Sequence, residues 1–225
     1  MRSTTMLYTR HAVLSTMLGL TLTNCATKSQ TGAVVGGAGG AVIGGVIGHS
    51  TGNTAAGAII GAAAGGIVGG IIGAEMDKQA KELKQNIPGA RVERVGEGIA
   101  VTFESGLLFD FDSDVIRPEA AKNLRALAKS LDKYPGSDLL IVGHTDQVGA
   151  ASYNQKLSQN RADAAMRYLV AQGVRQGRVA TKGMGETEPI APNETEAGRQ
   201  QNRRVEVAIY ASDAHKKEVA KQNPS

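Results

Sequence analysis

The chain has no tryptophan, three phenylalanines and a single cysteine among its 225 residues. One cysteine makes an intrachain disulfide impossible. So few flat rings give no platform on which nucleic-acid bases could stack. No long Lys/Arg block is present either. The formal charge is +4, or +2 with Arg2 and Arg10 of the leader set aside, which gives no electrostatic case for nucleic acid. His11, His49, His144 and His215 are too scattered for a zinc motif. Asp110, Asp112 and Asp114 alternate as at the start of a calcium loop, but Val115 and Ala121 stand where that loop needs Gly and Glu. His144 could pair with Asp146, yet no Ser or Cys nucleophile completes a triad. The expectation is a protein without metal, cofactor or catalytic activity.

Glycine is abundant, with 29 residues unevenly spread. Gly32, Gly36, Gly40, Gly44 and Gly48 form one ladder, and Gly57, Gly61, Gly65, Gly69 and Gly73 a second. Four-residue spacing puts each ladder on one stripe of a helix. Glycine every fourth residue costs a water-exposed helix about 1 kcal/mol per glycine relative to Ala. The ladders therefore predict close helix packing, as in lipid-embedded GxxxG pairs. Thr31–Ser50 and Ala55–Ala74 would each reach ~30 Å as helices, about one hydrocarbon core, with residues 49–54 as a polar turn. The segment 32–74 resembles the glycine-zipper hairpins of bacterial surface lipoproteins. The resemblance implies a membrane hairpin and self-association into a homo-oligomer.

Residues 1–24 read as a secretory signal, with Arg2 and Arg10 before the apolar run Ala12–Leu22. Met6 gives an alternative start. Leu22-Thr23-Asn24-Cys25 resembles a lipobox, with Asn24 where Gly, Ala or Ser is usual. It predicts lipidation at Cys25 and a short linker over 25–31. Residues 75–89 read as a polar helical spacer with an apolar stripe of Met76, Ala80, Leu83 and Ile87, ended by Pro88-Gly89. Residues 211–225 are polar and Lys-rich, and read as a disordered tail.

Between them, 90–210 carries the pattern of one folded domain. Val92–Val95 and Ile99–Phe103 flank Gly96-Glu97-Gly98 as a hairpin. A helix follows Pro118, with Ala121, Leu124, Ala128 and Leu131 on one face. Leu139–Val142 is a buried strand. A long helix runs from Ser152, capped by Ser152 and Gln155, to Gln172. Arg178–Lys182 and the alternating Val205, Val207 and Ile209 supply two more strands. The order is β-β-α-β-α-β-β, an α/β (α+β) sandwich with helices on one face of a mixed sheet.

Within it stand GHTDQVG at 143–149, YNQKLSQNRAD at 153–163 and NRRVEV at 202–207. Asn154, Ser158 and Arg161 share a helix face, and the loop after Asp146 can bring that acid to Arg161. A carboxylate and a guanidinium together can grip a free amino acid by its ammonium and its carboxylate. From about Gly98 to Tyr210 these motifs resemble the OmpA-like peptidoglycan-binding domain. The resemblance implies the OmpA-like β-α-β-α-β-β fold and a ligand, the diaminopimelate of the cell-wall stem peptide. It assigns Asp146 and Arg161 as the ligand pair and Asp112, Asn154, Leu157 and Arg204 as pocket positions. Thr145 is read as a hydrogen-bond donor beside Asp146, Arg203 as structural and Asn202 as ordering the turn. The reading is an outer-membrane, lipid-anchored protein whose periplasmic domain tethers membrane lipid to peptidoglycan without cutting it. The alternative is an outer-membrane pore or assembly factor in which the hairpin oligomerises and the domain only anchors it.

Overall fold

The computed structural model describes residues 53–224 except Phe111. The signal, the 25–31 linker, Cys25 and the first glycine ladder lie outside the described residues.

Five strands form one mixed sheet: β1 (Arg91–Val95), β2 (Gly98–Glu104), β3 (Ser137–Gly143), β4 (Val179–Gly183) and β5 (Arg204–Ala211). Their order is β1-β2-β5-β3-β4, with β3 and β4 parallel and every other pair antiparallel. The helices are α1 (Thr54–Gly61), α2 (Gly66–Asn86), α3 (Ser105–Leu108), α4 (Ala121–Lys133), α5 (Ala151–Ala171), α6 (Glu196–Asn202) and α7 (Asp213–Gln222), with a 3-10 turn at Gln176–Arg178. The predicted β-β-α-β-α-β-β order is therefore present, with shorter helices added around it.

Strand alternation divides the core in two. Val101, Phe103, Leu139, Ile141, Val205, Val207 and Ile209 point to the inner face, where α2, α4 and α5 cover them with Leu83, Leu124, Leu127, Ala165 and Leu169. Leu140, Val142, Ala208 and Tyr210 point to the outer face. There α1 lies across them with Ala55, Ala58, Ile59 and Ala62. Three long helices thus sit on the expected face, and one short helix sits on the other.

That short helix changes the reading of the second ladder. Ala55–Ala74 is not one span: α1 ends at Gly61 and α2 starts at Gly66, after a link in which Gly65 takes φ +70 and Gly66 φ +59. Only glycine adopts these left-handed angles freely. Among the described residues no helix is long and apolar enough to cross a membrane. The polar turn also ends earlier than read, because Asn53 caps α1 by accepting from Ala56 N at 2.7 Å, so Thr54 is already helical. Ladder spacing marked a small-residue helix correctly. It could not say that the partner surface is this chain's own sheet.

Residues 75–86 are helical as predicted, but they continue α2, and the stripe of Met76, Ala80, Leu83 and Ile87 packs into the inner core. The tail is a further correction: 213–222 is helical, not disordered. Ser212 caps α7 through His215 N at 3.2 Å, Val219 is buried, and His215 Nε2 lies 2.7 Å from Glu75 Oε2. The Ser-Asp start was a legible helix signal that the polar composition outweighed. The Ser152/Gln155 capping box does not form, because α5 begins one residue earlier with Ala150 at its cap.

Candidate functional site

The long helix α5 is held tightly to the strand ends by glycine. A Cβ on Gly143 would lie 2.1 Å from Ser158 O, and one on Gly183 would lie 2.5 Å from Gln159 N. These contacts bring the first turns of α5 against the loop that leaves β3. Ser158 Oγ accepts from Gly185 N at 2.8 Å, and Thr145 N donates to Gly185 O at 2.8 Å. Asn154 Nδ2 donates to Asp146 O, Val148 O and Glu186 Oε2 at 3.3, 3.1 and 2.7 Å. The 146–150 loop is thereby tied to the helix.

The result is a pocket of about 320 Å³ at this end of the sheet, lined by Asp112, Thr145, Asp146, Asn154, Leu157 and Arg161, with Val148, Tyr153, Glu196, Arg199 and Arg203. Six of the seven predicted wall-binding residues meet here. Asp146 and Arg161 are 7% and 3% exposed, more enclosed than side chains at a pocket surface need be. Asp146 Oδ1 accepts from Val148 N at 3.0 Å, and Oδ2 pairs with Arg203 Nη1 at 2.6 Å. Arg203 Nη2 reaches Glu196 Oε1 at 2.7 Å, and Arg199 Nη2 reaches the other Glu196 oxygen at 2.6 Å.

Arg161 is bound differently. Its Nε donates to Ser113 O at 3.0 Å and its guanidinium stacks 5.4 Å from the centre of the Phe109 ring. It forms no ion pair among the described residues, and its Nη1 is buried without a partner. Desolvation lowers its pKa, opposed by the nearby Asp112 charge. Thr145 Oγ1 is likewise buried and unpartnered. A cationic donor and a hydroxyl left unmatched in a walled pocket are costly unless something else satisfies them. Asp112 stands opposite on left-handed backbone, φ +56, and accepts a hydrogen bond from Tyr153 Oη.

The seventh residue, Arg204, is elsewhere. It is 1% exposed on the outer face of β5, where its Nε bonds Glu206 Oε1 at 2.7 Å. Arg203 takes the pocket position instead. The two arginines are neighbours on an extended chain, so they point to opposite sides. The inward parity of Val205, Val207 and Ile209 carried the signal that an odd-numbered Arg faces the helices. His144 also lies on the outer face and does not meet Asp146. It is fully buried, 4.0 Å from Glu188 Oε2, and burial and then the Arg204 charge hold its pKa well below the usual range. Asn202 does order its turn: its amide accepts from Ile190 N and Ala191 N and donates to Ala191 O. Glu196, Arg199 and Tyr153 escaped the sequence reading, because they are ordinary surface residues until α6 and the start of α5 converge.

Residues 108–203 match the OmpA family, and residues 6–77 match the YMGG-like Gly-zipper. The solved structure of the cell wall anchor of the T6SS from Pseudomonas aeruginosa is 32% identical, with a TM-score of 0.53, and the match covers 61% of this chain and 97% of that one. This domain belongs to the OmpA family. Outer membrane porin F of Pseudomonas fluorescens is 44% identical over 49% of this chain, and Probable lipoprotein YiaD of Escherichia coli is 37% identical over 60%. The matches span 34% and 62% of the lengths of these two relatives.

Proposed function

We propose that the OmpA-like domain binds peptidoglycan, and that the protein is a non-covalent tether between the outer membrane and the wall. The ligand is the free zwitterionic centre of diaminopimelate. Its carboxylate takes the unpartnered Nη1 of Arg161 and the hydroxyl of Thr145, and its ammonium takes Asp146 and Asp112. The observation that carries this is Arg161, a residue only 3% exposed yet without a carboxylate partner among the described residues, in the pocket that also holds Asp146. The resemblance to a cell wall anchor and to a porin named for the outer membrane supports the setting.

The pocket acts by holding, not by cleaving. Each bond to a charged group contributes about 1.5–3 kcal/mol net. Confinement of both partners in one thin compartment, with a repeating polymer as target, raises the effective concentration so that a weak grip suffices. Lipidation of Cys25 would hold the other end in the membrane.

The test is pull-down of the purified chain with sacculi of diaminopimelate-type and of lysine-type wall. Binding to the first and loss of binding to the second is expected. Equal binding to both walls would overturn the reading.

A further inference from the structure

Arg203 and Arg204 leave the chain on opposite sides of the sheet, and each lines a cavity. Arg203 lines the wall pocket. Arg204 lines a second cavity, of about 240 Å³, with Arg91, Thr102, Glu104, Ile190 and Gln201. Strand register explains the grouping. Arg91 pairs with Thr102 across β1 and β2, and Glu104 pairs with Arg204 across β2 and β5. Even-numbered residues of β2 and β5 face outward, as Ala100 and Ala208 do. Thr102 and Glu104 therefore form a floor on β2, with an arginine from each neighbouring strand beside it. Gln201 comes from α6, and Ile190 from the segment that Asn202 holds through Ile190 N at 2.8 Å.

Arg204 is the group that points to a ligand. It is 1% exposed. Its Nε bonds Glu206 Oε1 at 2.7 Å and its Nη1 donates to Asn202 O at 3.3 Å, while its Nη2 is buried without a partner among the described residues. A buried charged donor left unmatched is costly. The cavity is far larger than the ~10–15 Å³ that one water needs. Its other groups complement the carboxyl end of an amino acid. The Arg91 guanidinium and the Thr102 hydroxyl can join Arg204 on a carboxylate. Arg91 is held only by an exposed pair with Glu93 at 3.5 Å, which is weak enough to give way. Glu104 accepts from Gln200 Nε2 at 3.1 Å through Oε2, and its second oxygen can accept from an ammonium or an amide N–H. Ile190, 43% exposed, offers an aliphatic surface. A bare inorganic anion would meet Glu104 as a like charge with nothing to offset it.

We infer that this outer-face cavity is a second binding site, for the α-carboxylate end of a small aliphatic amino acid, either free or as the last residue of a peptide. The carboxylate sits among Arg204, Arg91 and Thr102, the nitrogen faces Glu104, and the side chain lies on Ile190. The site shares no lining residue with the wall pocket, although α6 serves both, with Glu196 and Arg199 in one and Gln201 in the other. It goes beyond the tether reading and does not depend on it.

The experiment uses the full chain carrying Cys25→Ser, so that no acyl group anchors it. Its backbone amide signals are followed by NMR during titration with alanine, N-acetylalanine and alaninamide. The amides of Thr102, Ile190 and Gln201 should shift saturably with at least one of the two carboxylates. Alaninamide, which has no carboxylate, should leave them in place. A tighter response to N-acetylalanine identifies a peptide end as the ligand, and a tighter response to alanine identifies a free amino acid. Thr102→Val keeps the side-chain shape without the hydroxyl and should weaken binding by roughly tenfold. Arg91→Gln, at a more exposed position, should weaken it by about threefold to tenfold. A dispersed amide spectrum shows that each variant is folded. Four results would overturn the inference: no saturable shift at these amides, an equal response to alaninamide, shifts confined to the Asp146 and Val148 amides of the wall pocket, or folded variants that bind as the parent does. Failure of the parent to hold sacculi would count against the wall reading alone.

Discussion

Asp146 and Arg203, 57 residues apart, are joined at 2.6 Å, and the same guanidinium also holds Glu196 at 2.7 Å. Arg203 is therefore a cation already matched by two carboxylates. Arg161, in the same pocket, is matched by none among the described residues. The two arginines should respond differently to truncation. Arg161→Ala removes the donor that a ligand carboxylate would use, and should weaken sacculus binding by roughly ten- to a hundredfold. Arg203→Ala frees Asp146 while disordering it, two effects of opposite sign, and should cost less than about tenfold. Titration of free diaminopimelate by calorimetry reads both. A larger loss at Arg203 than at Arg161 would reverse the assignment.

Arg161→Lys tests geometry apart from charge. Lysine keeps the cation but has no fork to bond Ser113 O while offering a second nitrogen to the ligand. Affinity should fall by about tenfold or more, with the charge retained. Because the guanidinium is buried against Phe109, the melting temperature must be measured beside it. Wild-type affinity in a folded Arg161→Lys chain would show that the fork is not used.

Much of this was legible because period and spacing are local. The apolar alternation of β5 and the 143–163 motifs placed the sheet, α5 and the acid–Arg encounter. What escaped was set by long-range packing. The α1 ladder has the spacing of a lipid-packed helix, and nothing in Gly57 or Gly61 distinguishes a bilayer neighbour from the Leu140, Val142 and Ala208 surface that α1 meets. Arg203 and Arg204 are identical in type and adjacent, so motif matching could slip by one where strand parity would not. Glu196 and Arg199 join the pocket only because α6 is anchored by Asn202.

The docking of α1 makes its own forecast. Ile59 is 1% exposed, and its Cγ2 sits where a Cβ on Gly98 would clash, at 2.5 Å. Thr54 N and Oγ1 bond Glu188 at 3.2 and 2.7 Å, and Lys216 Nζ bonds Ala62 O at 3.1 Å, so both ends of the helix are fastened. Ile59→Ala should lower unfolding stability by about 2–5 kcal/mol, the usual range for a buried Ile truncation. Denaturant titration measures it. A loss under about 0.5 kcal/mol, the scale of an exposed substitution, would mean that α1 is not held on the sheet in solution.

Acid should loosen the outer face through His144. Its imidazole is fully buried, both ring nitrogens lack hydrogen bonds, and burial with the Arg204 charge keeps it neutral well below the ordinary range. A depressed folded pKa means that the unfolded chain binds the proton first as pH falls. The stabilising contribution is therefore complete above about pH 6.5, the unfolded value, and is lost on acidification from there toward the folded value. In that window wild type should lose about 1.4 kcal/mol per pH unit from this one group. His144→Asn removes the titration while keeping a polar side chain, and should flatten the slope between pH 6.5 and 5 at some cost in stability at pH 7.5. Denaturant midpoints at four pH values for both chains decide it: parallel slopes would show that another group carries the acid sensitivity.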